Sequence, residues 1–139
     1  MKVLLDTCVI SELVSKSPNP KVVEFVDSLD AEDVYLSVIT IGEIVKGIEK
    51  LPSSKRRSEL QAWLNDDLLV RFEGNVVPLD IDIMAAWGRI TARLESAGKT
   101  MPAIDSLIAA TVLERKMTLV TRNVSDFEDT NAEIVNPWE

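Results

Sequence analysis

The sequence predicts an α/β protein in which a parallel sheet is covered by helices on both faces. Short apolar, β-branched segments alternate with segments of helical period, the pattern left by strands buried on both sides. One helical segment is apolar almost all round from Leu107 to Leu113, as a buried helix is.

The elements follow in order along the chain. Lys2 to Leu5 reads as a short buried strand ending at Asp6-Thr7, followed by a helix over Cys8 to Val14. Asn19-Pro20 marks a helix start, with Asn as the cap and Pro in the first turn. Val22, Val26 and Leu29 carry its stripe to about Asp30. Val34 to Val38 is β-branched and aromatic, a second strand. Thr40 to Lys50 is helical, with Ile41, Ile44, Val45 and Ile48 at spacings of three and four. Pro52-Ser53-Ser54 breaks the chain and caps a helix facing inward through Leu60, Trp63, Leu64 and Leu68. Gly74-Asn75 is a turn, and Val76 to Leu79 a third strand despite Pro78. Asp80 caps a long helix with Ile83, Trp87, Ile90 and Leu94 on its face, ending near Gly98. Pro102 opens the buried helix that runs to Lys116. Met117 to Thr121 is a fourth strand and Glu133 to Val135 a short fifth. No repeat or linker interrupts the 139 residues, so one domain over 1–139 is expected.

The composition, 46% hydrophobic and 27% charged, is that of a soluble globular protein. No run of about 18 apolar residues offers a membrane span. Lys2 precedes only three apolar residues before Asp6, so no signal peptide is expected. One cysteine forms no internal disulfide, which fits a reducing cytoplasm. With no histidine to activate it, Cys8 reads as a small packed side chain rather than a nucleophile. A net charge of −8 argues against a protein that coats nucleic acid. The charge is uneven, however: Lys46, Lys50, Lys55, Arg56 and Arg57 face only Glu49 between residues 46 and 57. That cluster either holds phosphates beside Glu43 or is a solvated helix face and loop.

Four acids interrupt or end apolar segments. Asp6 closes Val3-Leu4-Leu5, Glu43 sits among isoleucine and valine, Asp105 opens the buried helix, and Asp126 follows the fourth strand. A carboxylate in such a setting needs a partner or a cation. Taken singly, Asp6 can cap a helix, Asp105 can complement a helix dipole, and Asp126 can be a loop acid. Ligands of open parallel sheets bind beyond the carboxyl ends of the strands, and all four acids map to that end. Gathered carboxylates repel unless a cation neutralises them. With no histidine and one cysteine, the donor set suits a hard divalent ion such as Mg²⁺ or Mn²⁺, and in-line phosphodiester hydrolysis suits the site.

Rival acid sites fail on the same residues. A haloacid-dehalogenase-type phosphatase needs a second Asp where Cys8 stands, and a receiver domain needs an acidic pair and a Lys after the last strand, where Arg122 stands. Phosphate loops with Lys-Ser/Thr are absent, and no Ser-His-Asp triad forms without histidine.

Four blocks in this order resemble one family. They are Asp6-Thr7-Cys8-Val9-Ile10-Ser11-Glu12, Ser37-Val38-Ile39-Thr40-Ile41-Gly42-Glu43-Ile44, Asp105-Ser106-Leu107-Ile108-Ala109-Ala110-Thr111 and Val120-Thr121-Arg122-Asn123-Val124-Ser125-Asp126-Phe127. The chain is similar over essentially its full length to PIN-domain ribonucleases of the VapC toxin type, in the FitB-like branch. The resemblance implies a PIN-like three-layer sandwich with a parallel five-stranded sheet, and a Mg²⁺- or Mn²⁺-dependent endoribonuclease. It maps metal-binding and catalytic acids onto Asp6, Glu43, Asp105 and Asp126, with Asp126 acting directly or through water. It places Thr7, Thr121 and Asn123, and more weakly Ser125, where they support metal waters. Glu12 is not carried over as a site residue.

The resemblance also implies a homodimer and a cognate antitoxin that brings the complex to promoter DNA, so the acidic toxin itself need not bind DNA. An antitoxin arginine would neutralise the acids. Lys46, Lys50, Lys55, Arg56 and Arg57 are candidate RNA contacts. Trp63 and Trp87 read as core residues and Trp138 as an edge contact. Two other readings stay open: a non-catalytic PIN-fold binding module, and a DNA-directed nuclease.

Overall fold

A computed structural model describes residues 1–139. Its five strands are all parallel and lie in the order β3-β2-β1-β4-β5. Central β1 (Val3–Leu5) pairs with β2 (Val34–Ser37) on one side and β4 (Thr118–Val120) on the other. The edges are β3 (Val76–Val77) and β5 (Ile134–Val135). In register, Leu4 stands beside both Tyr35 and Leu119.

The two-residue period of β1 divides the core in two. Val3 and Leu5 point into one cluster, with residues of α1 (Thr7–Val14), α2 (Pro20–Asp27) and α3 (Val38–Glu49). Leu4 points into the other, with α6 (Ile81–Ser96), α7 (Ala103–Arg115) and Phe127. The result is the three-layer sandwich expected, and all three residues of β1 are fully buried.

Several boundaries differ from the sequence-based expectation for identifiable reasons. Val38, expected to end β2, instead opens α3, because the buried Ser37 hydroxyl caps the Ile39 N–H at 3.0 Å. β3 stops at Val77, since Pro78 has no N–H for the ladder. α2 ends three residues early, at Asp27, and a 3₁₀ turn, Ala31–Asp33, precedes β2. Pro102 lies just outside α7, with extended ψ, rather than inside it.

The amphipathic stretch after Ser54 is not one α-helix. α4 (Lys55–Ala62) passes into a π-helical segment, Trp63–Leu68, and then a short α5 (Leu69–Arg71). Leu64 and Leu68 are buried as predicted, and their four-residue spacing gives no sign of the wider turn. A 3₁₀ segment, Val124–Thr130, also went unanticipated; it folds the loop after β4 around Phe127.

α6 and α7 form the layer behind Asp105. Asp80 caps α6 by accepting the Ile83 N–H at 2.9 Å and also pairs with Arg115 at the far end of α7. Gly98 ends α6 at φ 74, a conformation a side chain resists. No helix of the chain is long and apolar enough to cross a membrane.

Candidate active site

Asp6 leaves the end of β1 and does two jobs with one carboxylate. Its Oδ1 accepts the Thr7 N–H at 2.9 Å, so it does cap α1, while its Oδ2 accepts the Thr121 hydroxyl at 2.8 Å. The cap and the site are therefore compatible rather than alternative roles. Thr121 is fully buried beyond β4 and is steadied in turn by the Asn123 N–H at 3.1 Å. Asn123 thus contributes its backbone to the site; its side chain is exposed.

Glu43 lies in the second turn of α3, half-buried. Its Oε1 accepts the Thr7 hydroxyl at 2.5 Å, and Thr7 Oγ1 is also 3.1 Å from the hydroxyl of Thr40. Thr40 is fully buried on α3, one turn before Glu43. Sequence reasoning missed it, although a threonine three residues before the acid, in a helix of Ile and Val, was a readable signal. Thr7 and Thr121 were expected to support metal waters. In the fold their hydroxyls are committed to the carboxylates of Glu43 and Asp6.

Asp105 sits half-buried in the first turn of α7. Its pKa is raised, first by burial and then by the negative charges of Asp126, Asp6 and Glu43. The other three acids therefore all lie close enough to act electrostatically on Asp105. Asp126 is exposed on the 3₁₀ segment, where its N–H bonds Asn123 O at 3.1 Å. Ser125, beside it, is exposed with no recorded side-chain partner.

None of the four acids has a cationic partner. The chain's ion pairs use Asp33, Glu59, Glu49, Asp129 and Asp80 instead. An all-carboxylate set left without counter-charge fits a hard divalent cation. The carboxylates are nonetheless not drawn in to chelating distance: no three acids or thiols already form a metal-holding group. Mutual repulsion is a sufficient reason for them to stand apart, and magnesium keeps several waters of its own and needs only one or two protein carboxylates.

The surrounding residues sort cleanly. Burial, aided by the charge of Asp6, pushes the Cys8 thiol up, so it remains a protonated, packed side chain. Glu12 accepts the Asn19 N–H at 2.9 Å and so ties α1 to the start of α2, a structural role. Of the basic cluster, Arg57, a candidate RNA contact, is engaged by Glu49 at 2.7 Å and by Leu51 O at 3.3 Å. Lys55 faces Glu59 at 3.9 Å and Arg56 reaches Val14 O at 3.4 Å. Lys46 and Lys50 are exposed and unpaired at the end of α3, with Lys46 three residues past Glu43. Trp63 and Trp87 pack against the two core clusters, and Trp87 Nε1 donates to Ser106 Oγ at 2.9 Å.

Comparison with known proteins identifies the family. The PIN domain family matches residues 3–133. Toxin FitB of Neisseria gonorrhoeae is 38% identical over 136 residues, 98% of either chain. VapC ribonuclease Y4jK of Sinorhizobium fredii is 36% identical over 137 residues, 99% of this chain and 98% of the other. A solved structure of FitAB bound to an IR36 DNA fragment superposes with a TM-score of 0.93 at 37% identity, covering 99% of this chain and 96% of that one. The chain belongs to the PIN-domain family, in the branch of toxin FitB and the VapC ribonucleases.

Proposed function

We propose that this chain is a metal-dependent endoribonuclease toxin, a single PIN domain over residues 1–139, restrained by a cognate antitoxin. The observation that carries the reading is the group of four carboxylates at one end of the sheet with no cation paired to any of them. Asp6 and Asp105 would hold a Mg²⁺ or Mn²⁺ ion, with Glu43 and Asp126 completing the site. The ion, when bound, would supply Lewis-acid stabilisation of phosphate charge and a water of lowered pKa.

The chain's own residues do the rest. Thr7 and Thr121 fix the rotamers of Glu43 and Asp6 before any ion arrives. Glu43 and Asp126 orient the attacking water. Lys46 and Lys50 are placed to attract the RNA backbone.

The relatives' names supply the biological setting. One is a toxin, another a VapC ribonuclease, and FitAB is a complex seen on DNA. By extension this chain pairs with an antitoxin that carries the complex to promoter DNA, forms a homodimer, and acts on RNA in the cytoplasm. An antitoxin arginine forking onto the unpaired acids would restrain it.

The test uses purified chain free of antitoxin, incubated with total RNA or matched DNA in Mg²⁺, Mn²⁺ or EDTA. Metal-dependent RNA cuts that vanish in Asp6→Asn are expected. Full activity of Asp6→Asn would overturn the mechanism, and cuts in DNA alone would move the substrate class.

A further inference from the structure

Arg122 directly follows Thr121, whose hydroxyl holds Asp6 at 2.8 Å, so its backbone lies one residue from the acid group. A guanidinium beside four unpaired carboxylates would ordinarily fork onto one of them. It does not: Arg122 takes part in none of the chain's ion pairs. Its guanidinium lies instead over the ring of Trp138, 5.4 Å from the centroid.

The platform is firmly built. Trp138 packs on the core cluster beneath α1 and α2, its backbone N–H donates to Asn136 Oδ1 at 3.0 Å, and Pro137 before it is buried. An indole face attracts a guanidinium without consuming its in-plane N–H donors. The stack has two consequences. The acids keep the negative charge that a cation needs, and the five donors of Arg122 stay unpaired on an exposed residue whose backbone adjoins the site. A planar donor fork on an exposed arm matches a phosphate.

The geometry points to Arg122, held over Trp138, as a contact to a backbone phosphate of the RNA beside the one being cleaved. Trp138 is its positioning residue. This assignment rests on the ribonuclease reading and adds a binding role that the acids do not supply. Because the contact is made before chemistry, its loss acts on KM and leaves kcat within about twofold.

Binding of a labelled single-stranded oligoribonucleotide is measured in EDTA by fluorescence anisotropy across a salt series, and cleavage kinetics are measured in Mg²⁺. Arg122→Gln is expected to weaken binding about tenfold, the loss of one charge-assisted hydrogen bond. The slope of log affinity against log salt should shrink by about 0.7, one phosphate contact on a single strand. Arg122→Lys should keep the slope while losing affinity, Trp138→Ala should raise KM, and Trp138→Phe should restore it. An unchanged affinity and slope in Arg122→Gln would overturn the assignment. So would an Arg122→Gln chain impaired only in antitoxin binding, which would make the arginine a protein contact. If the unaltered chain neither binds nor cuts RNA, the ribonuclease reading itself fails and this assignment goes with it; normal cleavage with an indifferent Arg122 sinks the assignment alone.

Discussion

Thr7 and Glu43 stand 36 residues apart in sequence, yet the Thr7 hydroxyl donates to Glu43 Oε1 across 2.5 Å. The bond joins the N-terminus of α1 to the second turn of α3. Since the Thr7 N–H also holds Asp6, one residue sets two of the four acids.

Removing that hydroxyl while keeping the shape tests the linkage. Thr7→Val should weaken metal affinity or cleavage by about 10- to 100-fold, the usual cost of losing a residue that orients a metal-binding acid. Thr7→Ser should retain most of both. Mg²⁺ titrations of cleavage would show the difference, and a Thr7→Val chain with an unaltered Mg²⁺ requirement would remove Thr7 from the site.

Asp105 ties the acids to stability. Its pKa is raised on folding, so the native chain holds that proton more tightly than the unfolded chain does. Between the unfolded and the raised folded pKa, stability therefore falls as pH rises, and the full cost persists above that window. Asp105→Asn abolishes this dependence and should unfold at a higher midpoint than the parent at neutral pH in EDTA. Mg²⁺ at a hundred times its dissociation constant should stabilise the parent by about 2.7 kcal/mol, and the variant less. Superimposable pH–stability curves for the two chains in EDTA would refute the destabilising role.

Phe127 holds the segment that carries Asp126. It is 1% exposed within the core cluster of α6 and α7, and its carbonyl accepts the buried Thr130 hydroxyl at 2.6 Å. Phe127→Ala should cost about 3–5 kcal/mol, and Phe127→Leu less, since it refills part of the cavity. Urea denaturation measures both; a loss below about 1 kcal/mol for the alanine would mean that the segment packs loosely.

The local order of this chain is written in its side chains. Caps at Asn19 and Asp80, the periodicity of α6 and α7 and the apolar β1 all follow from residues within a few positions of one another. Asp6, Glu43 and Asp105 stood out for the same reason, because each interrupts or ends an apolar segment on which burial of charge is costly, whereas exposed Asp126 was marked only by its place after β4. What pairs across long separations was decided only in three dimensions. The strand order β3-β2-β1-β4-β5, the Thr40–Thr7–Glu43 contact and the stacking of Arg122 on Trp138 depend on which surfaces the sheet brings together. The same holds for Arg57, whose charge is taken by Glu49, and for the π turn at Trp63–Leu68, whose apolar spacing matches an α-helix. Periodicity reports which face of an element turns inward; it carries no record of the partner that face will meet.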